Sequence, residues 1–119
     1  MITQEIKDKL TAAGCNYSAL VGRFMNMDKL AEKFLKKLPN DDNIAKFGEA
    51  AKAGDAQGLF TAAHTLKGLC GNLCIENILT EIDPIVEAAR GGSTEGSVEV
   101  YEKIKVMYDD ICAIIAEIG

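Results

Sequence analysis

The chain has 119 residues, 48% of them hydrophobic, and 13 Lys and Arg against 18 Asp and Glu give a formal net charge of −5. That length builds one core and predicts a single domain over residues 1–119, with no room for a kinase domain. The acidic balance and scattered cations argue against nucleic acid or an anionic membrane as main ligand. No apolar run approaches the roughly 20 residues a bilayer requires, and Met1-Ile2-Thr3-Gln4-Glu5 lacks a basic-then-apolar signal pattern, so a cytoplasmic protein is expected.

In chain order, a first short helix is predicted after Thr3 as cap, closing near Gly14. A segment from Tyr17 to Phe24 leads into a helix over Met27–Leu38, with Leu30, Phe34 and Leu38 at helical spacing and Pro39 as its stop. Asp41 or Asp42 caps the next, which carries Ile44, Phe47 and Ala51 inward and ends at Gly54. Asp55 caps a helix reaching Asn72 or Leu73. Its neighbour starts near Ile75 with Ile78, Leu79 and Ile82 on one face, and Asp83-Pro84 is expected to kink or restart it before Val86 and Ala89. After Gly91-Gly92-Ser93, the residues Tyr101, Ile104, Tyr108, Ile111, Ile115 and Ile118 form a bundle stripe. The expected fold is all-α: three long helices from about residue 41 onward, with the Met27–Leu38 helix, form an antiparallel four-helix bundle with short additional N-terminal helices.

The single histidine carries the functional signal. At about 100° per residue, Leu59, Ala62, Leu66, Leu69, Cys70 and Leu73 lie opposite His64 and form the buried stripe, so the imidazole faces solvent. Phe60 and Lys67 flank it on one side and Thr61 and Gly68 on the other, with Gly71 nearly in line two turns on. A glycine inside a helix costs about 1 kcal/mol relative to alanine. Two of them beside an exposed histidine clear space for another protein surface. A neutral imidazole is a good nucleophile, and Lys67 supplies a cation for an anion, so the arrangement suggests phosphoryl acceptance. Nothing in the chain resembles a Gly-rich phosphate loop or a nucleotide-binding fingerprint, so the phosphoryl group has to come from a partner.

The run His64-Thr65-Leu66-Lys67-Gly68 resembles the His-x-x-Lys-Gly core of histidine-containing phosphotransfer (HPt) domains of multistep two-component relays. The similarity extends through Gly71-Asn72-Leu73 and upstream through Leu20-Val21-Gly22-Arg23-Phe24-Met25, Leu30 and Phe34-Leu35, covering most of the chain; the family usually carries glycine where this chain has Cys74. The resemblance implies a four-helix bundle, His64 as phosphoacceptor, and Lys67 steadying phosphoryl charge. It implies a response-regulator receiver domain as partner, holding the Mg²⁺, and a hybrid sensor histidine kinase upstream. The protein would be a monomeric carrier, not an enzyme. Docking would draw on apolar contacts from the N-terminal helices and the region around the histidine. The candidate contacts are Phe60, Thr61, Gly68, Gly71, Leu20 and Arg23, with Leu10 and Ala13 beside them. For Phe60, partial burial against a neighbouring helix fits equally well; for Arg23 and Lys29, plain solvated charge is the favoured reading.

Cys15, Cys70, Cys74 and Cys112 read as reduced core thiols. A zinc site on His64, Cys70 and Cys74 would require a broken helix, because His64 and Cys70 face opposite sides, so no metal is expected. Two rivals to phosphotransfer stand: a non-catalytic helical adaptor that binds a signalling partner without carrying phosphate, and a metal or redox module on Cys70 and Cys74. The starting Met1 points to a free protein rather than a piece of a hybrid kinase.

Overall fold

Apolar residues recur at three- and four-residue steps along most of the chain, and the computed structural model, which describes residues 1–119, is helical from end to end. Its α-helices are α1 (Gln4–Ala12), α2 (Tyr17–Arg23), α3 (Asp28–Leu35), α4 (Asn43–Ala53), α5 (Ala56–Asn72), α6 (Glu76–Arg90) and α7 (Ser97–Ile115), with a 3₁₀ turn at Leu38–Asn40. None is long and apolar enough to cross a membrane.

The four longest helices make the bundle. α4 packs on α5, α5 on α6, α6 on α7, and α7 back on α4. The tight connections between consecutive helices make neighbours antiparallel. This corrects the expected membership: α4, not the Met27–Leu38 segment, is the fourth bundle helix. α3 is shorter than expected, ending at Leu35, and Pro39 stands inside the separate 3₁₀ turn. α1 lies against α7 and α2 against α1 and α3, so the first 40 residues form an N-terminal addition. A second correction concerns Pro84: of the kink or restart expected there, the restart does not occur, and α6 is continuous through it. It forfeits one N–H at an exposed position, where water can serve the freed carbonyl of exposed Thr80, and the buried face of Ile78, Ile82, Ile85 and Val86 holds the helix together across it.

Local caps follow the sequence closely. Thr3 accepts from the Ile6 N–H, Asn16 from Ala19 and Asp55 from Gly58, each satisfying a first-turn donor. Asp41 Oδ1 accepts from the Asn43 N–H at 2.8 Å just before α4.

The end of α5 is closed by hydrogen bonds from Ile75 N to Cys70 O and from Cys74 N to Gly71 O, with Cys74 in the left-handed region at φ 54°. This is a Schellman cap, the position where glycine is favoured, and it accounts for the usual glycine at this site in the family the sequence resembles. The 14–16 segment runs across the same corner: Asn16 N donates to Cys74 O, Glu76 N to Gly14 O, and Cys15 pairs with Ile75 in an isolated antiparallel bridge. Gly14, at φ 106°, is required there, since a Cβ would stand 2.2 Å from the Asn77 side chain. The N-terminal addition therefore braces the far end of the histidine helix.

All four cysteines are free, and burial pushes the Cys15 and Cys70 thiols up to about 12. Cys74 is buried but conformationally strained. We expect Cys74→Gly to change stability by no more than about 1 kcal/mol, because relief of a left-handed penalty of roughly 1 kcal/mol offsets the lost side-chain burial. Cys74→Val, larger by about a methyl group and β-branched, should cost about 2 kcal/mol, from left-handed strain and overpacking together. Urea unfolding of the two variants measures the difference.

Candidate functional site

α5 is amphipathic about a line through His64. Leu59, Ala63, Leu66 and Cys70 are fully buried, while His64, Thr65 and Gly68 are exposed. His64 thus stands on solvent-facing backbone that is itself fixed by the core beneath it. A Cβ added at Gly68 or Gly71 would meet nothing within 4 Å. No intramolecular contact calls for glycine at either position.

Two features set the imidazole's surroundings. The Phe60 ring, one turn earlier, stacks on it at 5.5 Å between centroids with an interplanar angle of 9°. The Arg90 guanidinium, from the last turn of α6, lies 5.5 Å from the Phe60 centroid. Arg90, Phe60 and His64 therefore form a ladder across α5 and α6. Phe60 is half-buried, as the partial-burial reading expects, and its ring also touches the histidine. Arg90 also contacts Glu87 Oε1 at 3.5 Å.

Lys67 projects toward α6 and pairs with Asp83. Both side chains are substantially exposed, 40% and 57%, so the pair contributes at most about 1 kcal/mol and exchanges readily. The antiparallel register that sets Phe60 against Arg90 and Lys67 against Asp83 brings His64 level with Val86 and Glu87.

Sequence reasoning missed Arg90 and Asp83. Neither is near His64 in sequence; the signal for both is the three-residue link Leu73–Ile75, which fixes the register of α6 on α5.

The remaining candidates divide. Thr61 is exposed, but its hydroxyl donates to the Gln57 carbonyl at 3.1 Å. It lines a broad, shallow cleft of about 590 Å³ between α4 and α5. Arg23 is exposed at the end of α2 and lies beside Phe24, Phe34, Leu69 and Leu73, toward the opposite end of α5 from Phe60. Leu20 is a correction. It is fully buried, as is Leu10, because each faces the core from its short helix, and neither can contact a partner. Ala13 is half-buried, with its carbonyl taken by Asn77. The exposed large apolar side chains of the N-terminal addition are instead Met25 at 73% and Met27 at 51%, apart from Met1 at the chain start. Lys29 lies away from Lys67, on α3 beside Ile2 and Glu32.

No three His, Cys, Asp or Glu side chains converge to hold a metal ion. Chemically, the arrangement offers an accessible nucleophile with its ring plane set by Phe60, two loosely held cations, Lys67 and Arg90, on its α6 side, and unobstructed backbone alongside. Compared with family models, with curated proteins and with solved structures, the chain matches none.

Proposed function

We propose that the protein is a histidine phosphocarrier of the HPt type, working in the cytoplasm, which accepts a phosphoryl group from a receiver-domain aspartate on His64 and passes it to another receiver. The observation that carries this reading is the exposed His64 on a rigid helix beside two glycines with open space over them. Stacking on Phe60 limits ring rotation, so the attacking nitrogen keeps a constant direction. In the reaction the neutral imidazole attacks phosphorus in line; an N–P bond forms as the aspartyl O–P bond breaks and the carboxylate leaves. The receiver holds the Mg²⁺ and most of the catalytic apparatus, so this chain is a carrier rather than an enzyme. Lys67 and Arg90 are the cations available for the phosphoryl oxygens, and their carboxylate partners Asp83 and Glu87 hold them until the phosphoryl group arrives.

The test is transfer of labelled phosphate from a panel of phosphorylated receiver domains. Acceptance in an acid-labile, alkali-stable linkage is the expected result; acceptance from none favours the adaptor.

The Lys67–Asp83 pair makes a graded prediction. Asp83→Asn frees the ammonium and should speed transfer a few-fold, while stability changes by less than about 1 kcal/mol. Lys67→Ala should slow transfer tenfold or more, since it removes a cation from developing charge. Single-turnover transfer from one receiver, with thermal melts alongside, reads both.

A further inference from the structure

Six of the 13 Lys and Arg side chains form no ion pair with a carboxylate, and five of the six fall within one fifteen-residue segment: Arg23, Lys29, Lys33, Lys36 and Lys37. The two carboxylates of that segment are already engaged, Asp28 by Tyr17 and Lys7 and Glu32 by the Met1 amine. With five cations and two carboxylates, residues 23–37 carry a net +3 within a chain of net −5.

Two of these cations, Arg23 and Lys37, border a cavity of about 330 Å³ between the α2–α3 turn and the C-terminal half of α5, whereas Lys29 stands beside Ile2 and Glu32 and Lys36 donates to Gly119 O at 3.4 Å. Phe24 and Phe34, stacked at 4.7 Å, give it an aromatic wall, and Leu69 and Leu73 close it from α5. Arg23 and Lys37 stand at its edge, with the Lys37 ammonium 4.6 Å from the Phe34 centroid. A space of this size suits one aromatic or large aliphatic side chain. The turn above it holds two consecutive non-glycine residues in the left-handed region, Met25 at φ 57° and Asn26 at φ 59°, and Met25 projects into solvent. Strain of this kind clusters where a chain meets a ligand, and exposed methionines adapt to varied apolar partners.

We propose that the α2–α3 face is a docking site for an acidic polypeptide segment, whose aromatic or large aliphatic residue enters the Phe24–Phe34–Leu69–Leu73 cavity while its flanking carboxylates meet Arg23 and Lys37. A polypeptide fits better than an extended polyanion or an anionic bilayer, because the positive charge is confined to one short segment and the rest of the molecule is strongly acidic. The site stands on its own residues and does not depend on phosphate at His64.

The test is an NMR titration of the ¹⁵N-labelled full chain with a synthetic peptide carrying a central Phe between Asp and Glu residues, and with its Asn/Gln counterpart. Saturable shifts at Phe24, Phe34, Lys37 and Leu69 are expected, at least tenfold weaker for the neutral peptide and weakened by salt. Arg23→Glu combined with Lys37→Glu should lose at least tenfold in affinity with an unchanged circular-dichroism spectrum, whereas His64→Gln should bind as wild type does. Equal binding of the two peptides, or shifts confined to other surfaces, overturns the proposal. Tighter retention by phosphatidylserine vesicles than by the acidic peptide replaces it with a membrane contact.

Discussion

His64→Gln is expected to abolish phosphate acceptance from every receiver, by a factor of a thousand or more, while the bundle keeps its stability to within about 1 kcal/mol. The chain has one histidine, so no second imidazole can carry residual acid-labile phosphate. The side chain is exposed, and its packing partner at the surface is the Phe60 ring. An aromatic stack of this type is worth roughly 0.5–1.5 kcal/mol beyond its area, and glutamine recovers part of that by covering the same ring. Loss of function and loss of fold are therefore separable at this position, because the side chain lies on the exposed face of α5. Transfer assays beside thermal melts make the measurement. Acid-labile phosphate surviving in His64→Gln would remove His64 from the mechanism, and an intact physiological role without it would leave the adaptor as the better account.

What could be read from the sequence was whatever depends on neighbours along the chain. The caps at Thr3 and Asp55 and the helix stop at Gly54 are local hydrogen-bonding and conformational facts. The outward orientation of His64 follows from helical geometry alone. What failed depends on which elements meet. α3 and α4 have similar apolar spacing, and only the packing of α4 between α5 and α7 decides which joins the bundle. A short helix shows too few residues to fix its buried face, so the sequence leaves Leu20 open to the surface, whereas its burial follows from the way α2 seats between α1 and α3. A restart at Pro84 does not occur, since tertiary burial on both sides of it outweighs one missing N–H. Arg90 and Asp83 enter the site only through the register of α6 on α5. The exposure of His64 was thus legible, and the groups that surround it from α6 were not.

Gly68→Gln should raise stability and destroy receiver-dependent transfer. Gly68 is exposed in the interior of α5, and a side chain there meets no other atom, so replacing it with a good helix former should gain up to about 1 kcal/mol. That gain corresponds to roughly 4 °C in Tm for a domain of this size. Glutamine at this position stands one turn from His64 on the same exposed face, in the space that the proposed receiver would have to enter. A displacement of about 1 Å from in-line geometry costs on the order of 100-fold in rate, so transfer from a receiver should fall at least that much. A small donor such as phosphoramidate needs no such clearance and should phosphorylate His64 in wild type and variant at rates within about twofold. The two donors together separate access from nucleophilicity: loss with both would mean that glutamine disturbs the imidazole itself. Unchanged transfer from the receiver would mean that the glycine has no role in partner approach, and the open backbone beside His64 would no longer support phosphotransfer over a bare surface histidine.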